Sequence, residues 1–427
     1  MERISAWAEE RTPPVAATIA MLVGVMAYSL LGHLVVHTGG SGLVAPGDLL
    51  SMANSTWAML HGQFSHIYVR NGALTSPPAF EMLLVPVMAL GQQVGLAPHL
   101  HAAGEPLSMW LVLGPSAVIV ASSALFALDA VARQWQLSER RRLALALVGG
   151  LGVANVVGGW GHPEDCVAVA LVVWAALTMA RKGPGGAPRA ALLLGLGIAF
   201  QPLALLGVAP VLARLTWRAA TRLSWRLVLP SLVVLVLPLV AETHRTLFVL
   251  VRQPFQPRSI SFTPLTHVAP AIGPDLAGGG PTRLVAIVLG AALAVLVCHR
   301  RHDLPTVLAV TAVAFFLRVL LETELNWYYL WPVPALCLVL SARRSRTRFA
   351  LCAAALVVSM MLGDRRVHHI VLWWPALMAT LVVMLLSVGP SPRRWVARVS
   401  SRREGTGPAG PVECGVMVPV AAGLHRE

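Results

Sequence analysis

RRRLALALVGGLGVANVVGGWGHPEDCVAVALVVWAALTMARK, residues 140 to 182, decides the fold of this chain. Arg140 to Arg142 open an apolar run, and the polar turn Gly159-Trp160-Gly161-His162-Pro163-Glu164-Asp165 interrupts it. A second apolar run, 166 to 180, closes on Arg181 and Lys182. Each run approaches the roughly 20 apolar residues that a helix needs to cross a bilayer. Basic residues in short loops stay on the cytoplasmic side. The stretch therefore reads as two helices that leave the cytoplasm, turn at His162 and return.

The pattern extends in both directions. Of 427 residues 56% are hydrophobic and 12% charged, with a mean hydropathy of +0.70, too apolar for a soluble domain of this size. Further apolar runs cover residues 14 to 36, 107 to 132, 227 to 241, 283 to 298, 304 to 321, 327 to 341, 349 to 362 and 370 to 388. The first, from Pro14 to Val36, is too long for a signal-peptide core and lacks a convincing cleavage site, so it reads as a retained helix. The net charge of +14 falls in short clusters between the runs, such as Arg214 to Arg226 and Arg343 to Arg348, instead of along one face. That distribution sets topology and argues against nucleic acid as a partner. Residues 190 to 213 have basic clusters at both ends and a Gln201-Pro202 break, which predicts a broken helical hairpin dipping in from the cytoplasm. Five cysteines without ligand spacing suggest neither a disulfide framework nor a zinc site.

The expectation is an all-α polytopic membrane protein with about 10 to 12 transmembrane helices and no soluble domain. A membrane domain over residues 1–389 precedes a disordered, basic cytoplasmic tail over 390–427 that contacts membrane lipid at most. Both termini lie in the cytoplasm, and Ala79 to Leu90 forms a juxtamembrane helix on the outer surface of the cell membrane.

On this path the outward polar residues are few and grouped. Asp48, in Pro46-Gly47-Asp48-Leu49-Leu50, follows the first run. Desolvation beside lipid raises a carboxylate's pKa towards a general base's range, although Asp is also a preferred helix cap. In the 159–165 turn, His162, Glu164 and Asp165 are residue types that hold a divalent cation or orient a hydroxyl. The same turn also reads as a capped helix start, with Pro163 at the first position and acids at the N-terminus. No metal site is assigned; a divalent cation stays open as the one cofactor the turn suggests. The loop 242 to 282 carries His244, Arg245, Arg252, Arg258 and His267. Guanidinium groups there suit a phosphate, either of a substrate or of a lipid headgroup. Near the next outer turn, Trp327 and Trp331 read as an interfacial belt. Glu322 follows Arg318 by one helical turn, the spacing of an ion pair that braces the bundle or lines a polar cavity.

The order of these features resembles the GT-C superfamily of membrane glycosyltransferases, particularly actinobacterial polyprenyl-phosphate-sugar-dependent mannosyl- and arabinosyltransferase-like proteins. The resemblance covers roughly residues 14 to 345. Asp48 stands where that superfamily places its acidic base. Trp57 to Pro86, with Gly62, Tyr68, Pro77-Pro78 and Phe80, looks like its first outer loop, and His162-Pro163-Glu164-Asp165 like its second acidic motif. Gly195 to Pro210 resembles its glycine-rich cytoplasmic hairpin, with Gln201-Pro202 where many relatives carry lysine, and Tyr328-Tyr329 has counterparts late in the module. The resemblance implies an inverting enzyme that moves mannose or arabinose from a polyprenyl-phosphate sugar donor to a glycolipid or glycan acceptor on the outer face. Asp48 would be the base. His162, Glu164, Asp165, Tyr68, Glu322 and Tyr328 would line the site, and Arg252 and Arg258 would steady the phosphate. The rival readings are a lipid-linked sugar transporter, which calls for polar residues near the midplane, and a non-catalytic scaffold of envelope assembly.

Overall fold

The computed structural model describes residues 10–35, 47–68, 76–96, 110–252, 263–265, 281–322, 325–364 and 370–389. Helices dominate, and no strand occurs among the described residues. In chain order they are α1 (Thr12–Val35), α2 (Gly47–Leu60), α3 (Ala79–Gln93), α4 (Trp110–Ala121), α5 (Ser123–Gln134), α6 (Glu139–Ala154), α7 (Pro163–Lys182) and α8 (Ala187–Phe200). There follow α9 (Leu205–Leu212), α10 (Trp217–Ala241), α11 (Thr243–Arg252), α12 (Pro281–Cys298), α13 (Leu304–Leu320), α14 (Pro332–Arg344), α15 (Arg346–Asp364) and α16 (Ile370–Val388).

Among the described residues six stretches are long and apolar enough to cross a membrane: Thr12–Leu30, Trp110–Gln134, Glu139–Trp160, Pro163–Phe200, Trp217–Ala241 and Arg346–Gly363. Shorter apolar helices, among them Leu304–Leu320 and Leu372–Val388, accompany them. Large apolar side chains cover the outside, as in α10, where Val240 is 83% and Val233 61% exposed. Water would penalise such a surface; a hydrocarbon solvent does not.

Contacts sort the charged residues by helix end. Arg142 forks onto the buried Asp129, at 2.7 and 3.0 Å, and Arg133 reaches Glu10 at 3.3 Å. Arg181 donates to Gln134, and Arg343 lies 5.0 Å over the Trp135 ring. These groups all sit where α6 begins and α7 ends. The opposite ends of the same two helices meet at His162, so the hairpin expected over residues 140–182 forms, with its basic residues at one end.

The helix break and reversal expected at Gln201-Pro202 form. α8 climbs beside α7 until Gln201, which is extended, and Pro202 end it. α9 then descends, so that the Arg214 guanidinium comes back beside Gly183. At the apex, the Gln201 amide faces the Asp165 carboxylate. The helix expected at Ala79 to Leu90 forms as α3, Ala79–Gln93.

Glycines permit the closest crossings. A β-carbon on Gly152 of α6 would sit 2.1 Å from the Trp331 ring, and one on Gly195 of α8 would sit 2.3 Å from the Arg226 carbonyl in α10. Lipid offers no hydrophobic drive for helices to associate, so such close packing holds the bundle together. Gly152→Ala is therefore expected to destabilise the protein by about 1–3 kcal/mol, the usual cost of overpacking. The check is the detergent-solubilised unfolding midpoint; an unchanged midpoint would mean that Trp331 swings away freely. The four described cysteines, Cys166, Cys298, Cys337 and Cys352, are buried and unbonded. The expected tail, 390–427, lies outside the described residues.

Candidate active site around Asp48 and His162

The turn after α6 is built by local chemistry. A π-helical segment, Asn155–Trp160, widens the last turn, and Gly161 takes the left-handed region at φ 79°, a conformation that costs glycine little. The His162 N–H then closes onto the Val156 carbonyl at 3.0 Å. Pro163 occupies the first position of α7, and Glu164 and Asp165 fall in its first turn, where the helix dipole favours acids. The turn is thus a helix start set by Pro163 and two first-turn acids, although His162 at the N-cap makes no side-chain capping bond, and it delivers a cluster.

At its centre His162 bridges two carboxylates. Nδ1 lies 2.6 Å from Glu164 Oε1, and Nε2 lies 2.8 Å from Asp48 Oδ2, supplied by the first turn of α2. A neutral imidazole has one N–H and would turn a lone pair on one carboxylate, so this arrangement holds the doubly protonated ring. Burial opposes the charge on His162, but Glu164 and Asp48 outweigh it and hold the pKa well above 6.5. The Tyr328 ring stacks on the imidazole at 3.6 Å between centroids, and Tyr329 packs edge-on to Tyr328 at 4.3 Å.

One expectation is reversed here. Burial does push the Asp48 carboxyl up, but the hydrogen bond and the charge of His162 pull harder, and its pKa lies below 3.8. Asp48 is an ionised acceptor, not a carboxyl lifted towards neutrality. Its side chain is 42% exposed, whereas that of Glu164 is 3% exposed. The accessible carboxylate is therefore Asp48, with Glu164 behind the ring that orients it.

Asp48 lines a cavity of about 690 Å³ bounded by α1, α6 with its π segment, and Met360 of α15. That volume falls within the range of about 300–1,000 Å³ typical of small-molecule sites.

The remaining residues expected at a site take varied places. Asp165 is wholly buried, and its electrostatic neighbours are Glu164, His162, Arg318 and the Gln201 amide, all inside the bundle. Glu322, 1% exposed, accepts from Arg283 Nη2 at 2.9 Å and Nε at 3.1 Å, and pairs with Arg318 at 3.5 Å. The ion pair with Arg318 forms, but Arg283 of α12 makes the shorter contact. Arg318 also sits 4.6 Å over the Tyr329 ring, which ties this network to the stack on His162. Tyr68 is buried and donates its hydroxyl to the Ser76 carbonyl at 3.1 Å, while Arg245 of α11 reaches the Tyr68 carbonyl at 3.4 Å. Arg252 ends α11; its side chain, like Arg258 and His267, lies outside the described residues. Trp327 and Trp331 are buried, each at most 1% exposed, so they pack the bundle instead of forming the interfacial belt the sequence suggested. Among the described residues no group of three or more His, Cys, Asp or Glu side chains could hold a metal ion, and both His162 nitrogens are already engaged.

The sequence reading missed Glu81. It stands in the first turn of α3, is 1% exposed, and interacts electrostatically with Glu164 and His162. Burial and then the Glu164 charge push its carboxyl from 4.5 up to about 8, against its backbone hydrogen bond and His162. One signal was available: Glu81 is the lone acid in an otherwise apolar helix behind Pro77-Pro78. An acid whose folded pKa is raised costs stability once the pH exceeds its unfolded value. Wild type should lose stability as pH rises from 4.5 through about 8. Glu81→Gln should flatten that slope in unfolding titrations, and an unaltered slope would assign it to other groups.

No protein-family model matches this chain, and no curated protein matches it.

Proposed function

We propose that the chain is an inverting glycosyltransferase of the GT-C type that takes a sugar, mannose or arabinose, from a polyprenyl-phosphate donor. The acceptor is a glycolipid or envelope glycan on the outer face of the cytoplasmic membrane. In this reading about 10 to 12 helices span the bilayer, both termini are cytoplasmic, and the His162 end of the bundle faces outward. The observation that carries it is the half-exposed Asp48 carboxylate, aimed by the His162–Glu164 pair beside a cavity at the end of two membrane-length helices.

The chemistry balances on these residues. The acceptor oxygen attacks the anomeric carbon, its proton passes to Asp48, and the electron pair of the breaking glycosidic bond leaves on the phosphate. His162, held charged, fixes one Asp48 oxygen and leaves the other for the acceptor hydroxyl. Arg252 and Arg258 of the outward loop would meet the growing phosphate charge. Against the transporter reading stands the position of the acids: Asp48, Glu81, Glu164 and Glu322 gather at helix ends.

Two experiments test this. Membranes containing the protein should move label from a radiolabelled polyprenyl-phosphate sugar into an acceptor lipid extract, whereas no transfer from any such donor would shift the reading to transporter or scaffold. For sidedness, Gly72→Cys and Ile260→Cys should react with an impermeant thiol reagent in intact cells. Protection of both would invert the topology.

A further inference from the structure

The cavity beside Asp48 has a composition that selects its occupant. Its walls are Gly24, Val25 and Tyr28 of α1 facing Leu151, Ala154 and Gly158 of α6 and its π segment. Both walls belong to stretches long and apolar enough to cross a membrane, so they suit a hydrocarbon chain. A β-carbon on Gly24 would meet nothing within 4 Å, which leaves that wall clear. The polar side chains in the lining are Tyr28, Asp48, Asn155 and Trp160, and among the described residues it includes no Lys, Arg or His. The Trp160 indole N–H is buried and finds no acceptor among the described residues.

From this we infer that the α1–α6 groove seats the acceptor, and that the acceptor is a membrane lipid with an uncharged, hydroxyl-bearing headgroup. An alkyl or prenyl chain fits the apolar walls. A hydroxyl can donate to Asp48, and a headgroup oxygen can accept from the Trp160 N–H. A phosphate here would face Asp48, whose imidazolium partner His162 is shared with Glu164, so the three groups together stay negative, which at close range is repulsive. The donor phosphate therefore binds elsewhere. The inference rests on the transferase reading and narrows it, because a soluble glycan has no use for these walls.

The test is photolabelling, which needs no turnover. The protein is reconstituted in liposomes containing either a neutral glycosyl-diacylglycerol or a prenyl phosphate, each with a diazirine in its chain, and adducts are mapped by mass spectrometry. The lipid-facing surface of α10 serves as the reference. The neutral glycolipid should label residues 24–28 and 151–158 several-fold more than α10, and the prenyl phosphate should not. Leu151→Trp, which fills the groove from a half-exposed position, should abolish the excess while leaving α10 labelling unchanged. Labelling of the groove no stronger than that of α10, or equal labelling by the prenyl phosphate, would overturn the inference. Specific labelling without sugar transfer would leave the groove standing and discard the transferase.

Discussion

Asp48→Asn is expected to lower sugar transfer by about 10²–10⁴-fold, the contribution of a positioned general base, with the protein still folded. The amide is isosteric with the carboxylate and its oxygen can still accept the His162 Nε2 hydrogen bond, so the bridge from α2 to the His162 turn survives. What is lost is the basic oxygen. The measurement compares label transferred per milligram of purified variant and wild type, with an unfolding midpoint taken on the same samples. Equal transfer would remove Asp48 as base. Lost transfer with a collapsed midpoint would instead make the residue structural, and Asp48→Glu, which restores the carboxylate, then separates the two cases.

Glu322→Ala should destabilise the protein more than any other single change at this end of the bundle, by about 3–5 kcal/mol, because it strands buried charge. One carboxylate serves two guanidiniums from different helices, Arg283 at 2.9 Å and Arg318 at 3.5 Å. The side chains of both arginines are largely buried, 24% and 12% exposed. Arg318 has the Tyr329 ring as a second contact, whereas Arg283 would be left with far less. Chemical unfolding in detergent reads the loss directly. Glu322→Gln, which keeps an acceptor, should fall between wild type and Ala, and a cost below about 1 kcal/mol would place these charges in water, where such pairs contribute little.

Sequence alone predicted most of the helices because their apolar lengths and the Arg and Lys at their ends respond to a one-dimensional constraint, the thickness and polarity of a bilayer. The run expected over 304 to 321 is α13 (Leu304–Leu320), and that over 370 to 388 is α16 (Ile370–Val388). Even the break at Gln201-Pro202 could be read, since two basic clusters flanking one apolar stretch permit no single crossing. The expected start at 227 missed by ten residues, because α10 begins at Trp217 and carries Arg218, Arg222 and Arg226 along its first turns. A rule that assigns arginines to loops cannot see them as helical.

The site was legible as a set of residue types sharing one end of the bundle. The pairing of Asp48 with His162, 114 positions apart, followed from no local pattern, and neither did the stacking of Tyr328 on that ring. Charge states depended on the same contacts. The expected rise of the Asp48 pKa became a fall because an imidazolium stands 2.8 Å away, and Glu81 became a site residue because the fold set it against Glu164. Sequence by itself determined that this chain is helical and apolar, with Asp48 and His162 grouped at the helix ends away from the basic clusters, since hydrophobic length and loop charge act residue by residue. Which carboxylate faces the cavity, which stays behind the histidine, and which tryptophans leave the interface for the core were decided only by tertiary structure, because burial and electrostatics depend on neighbours that the chain brings together from far apart.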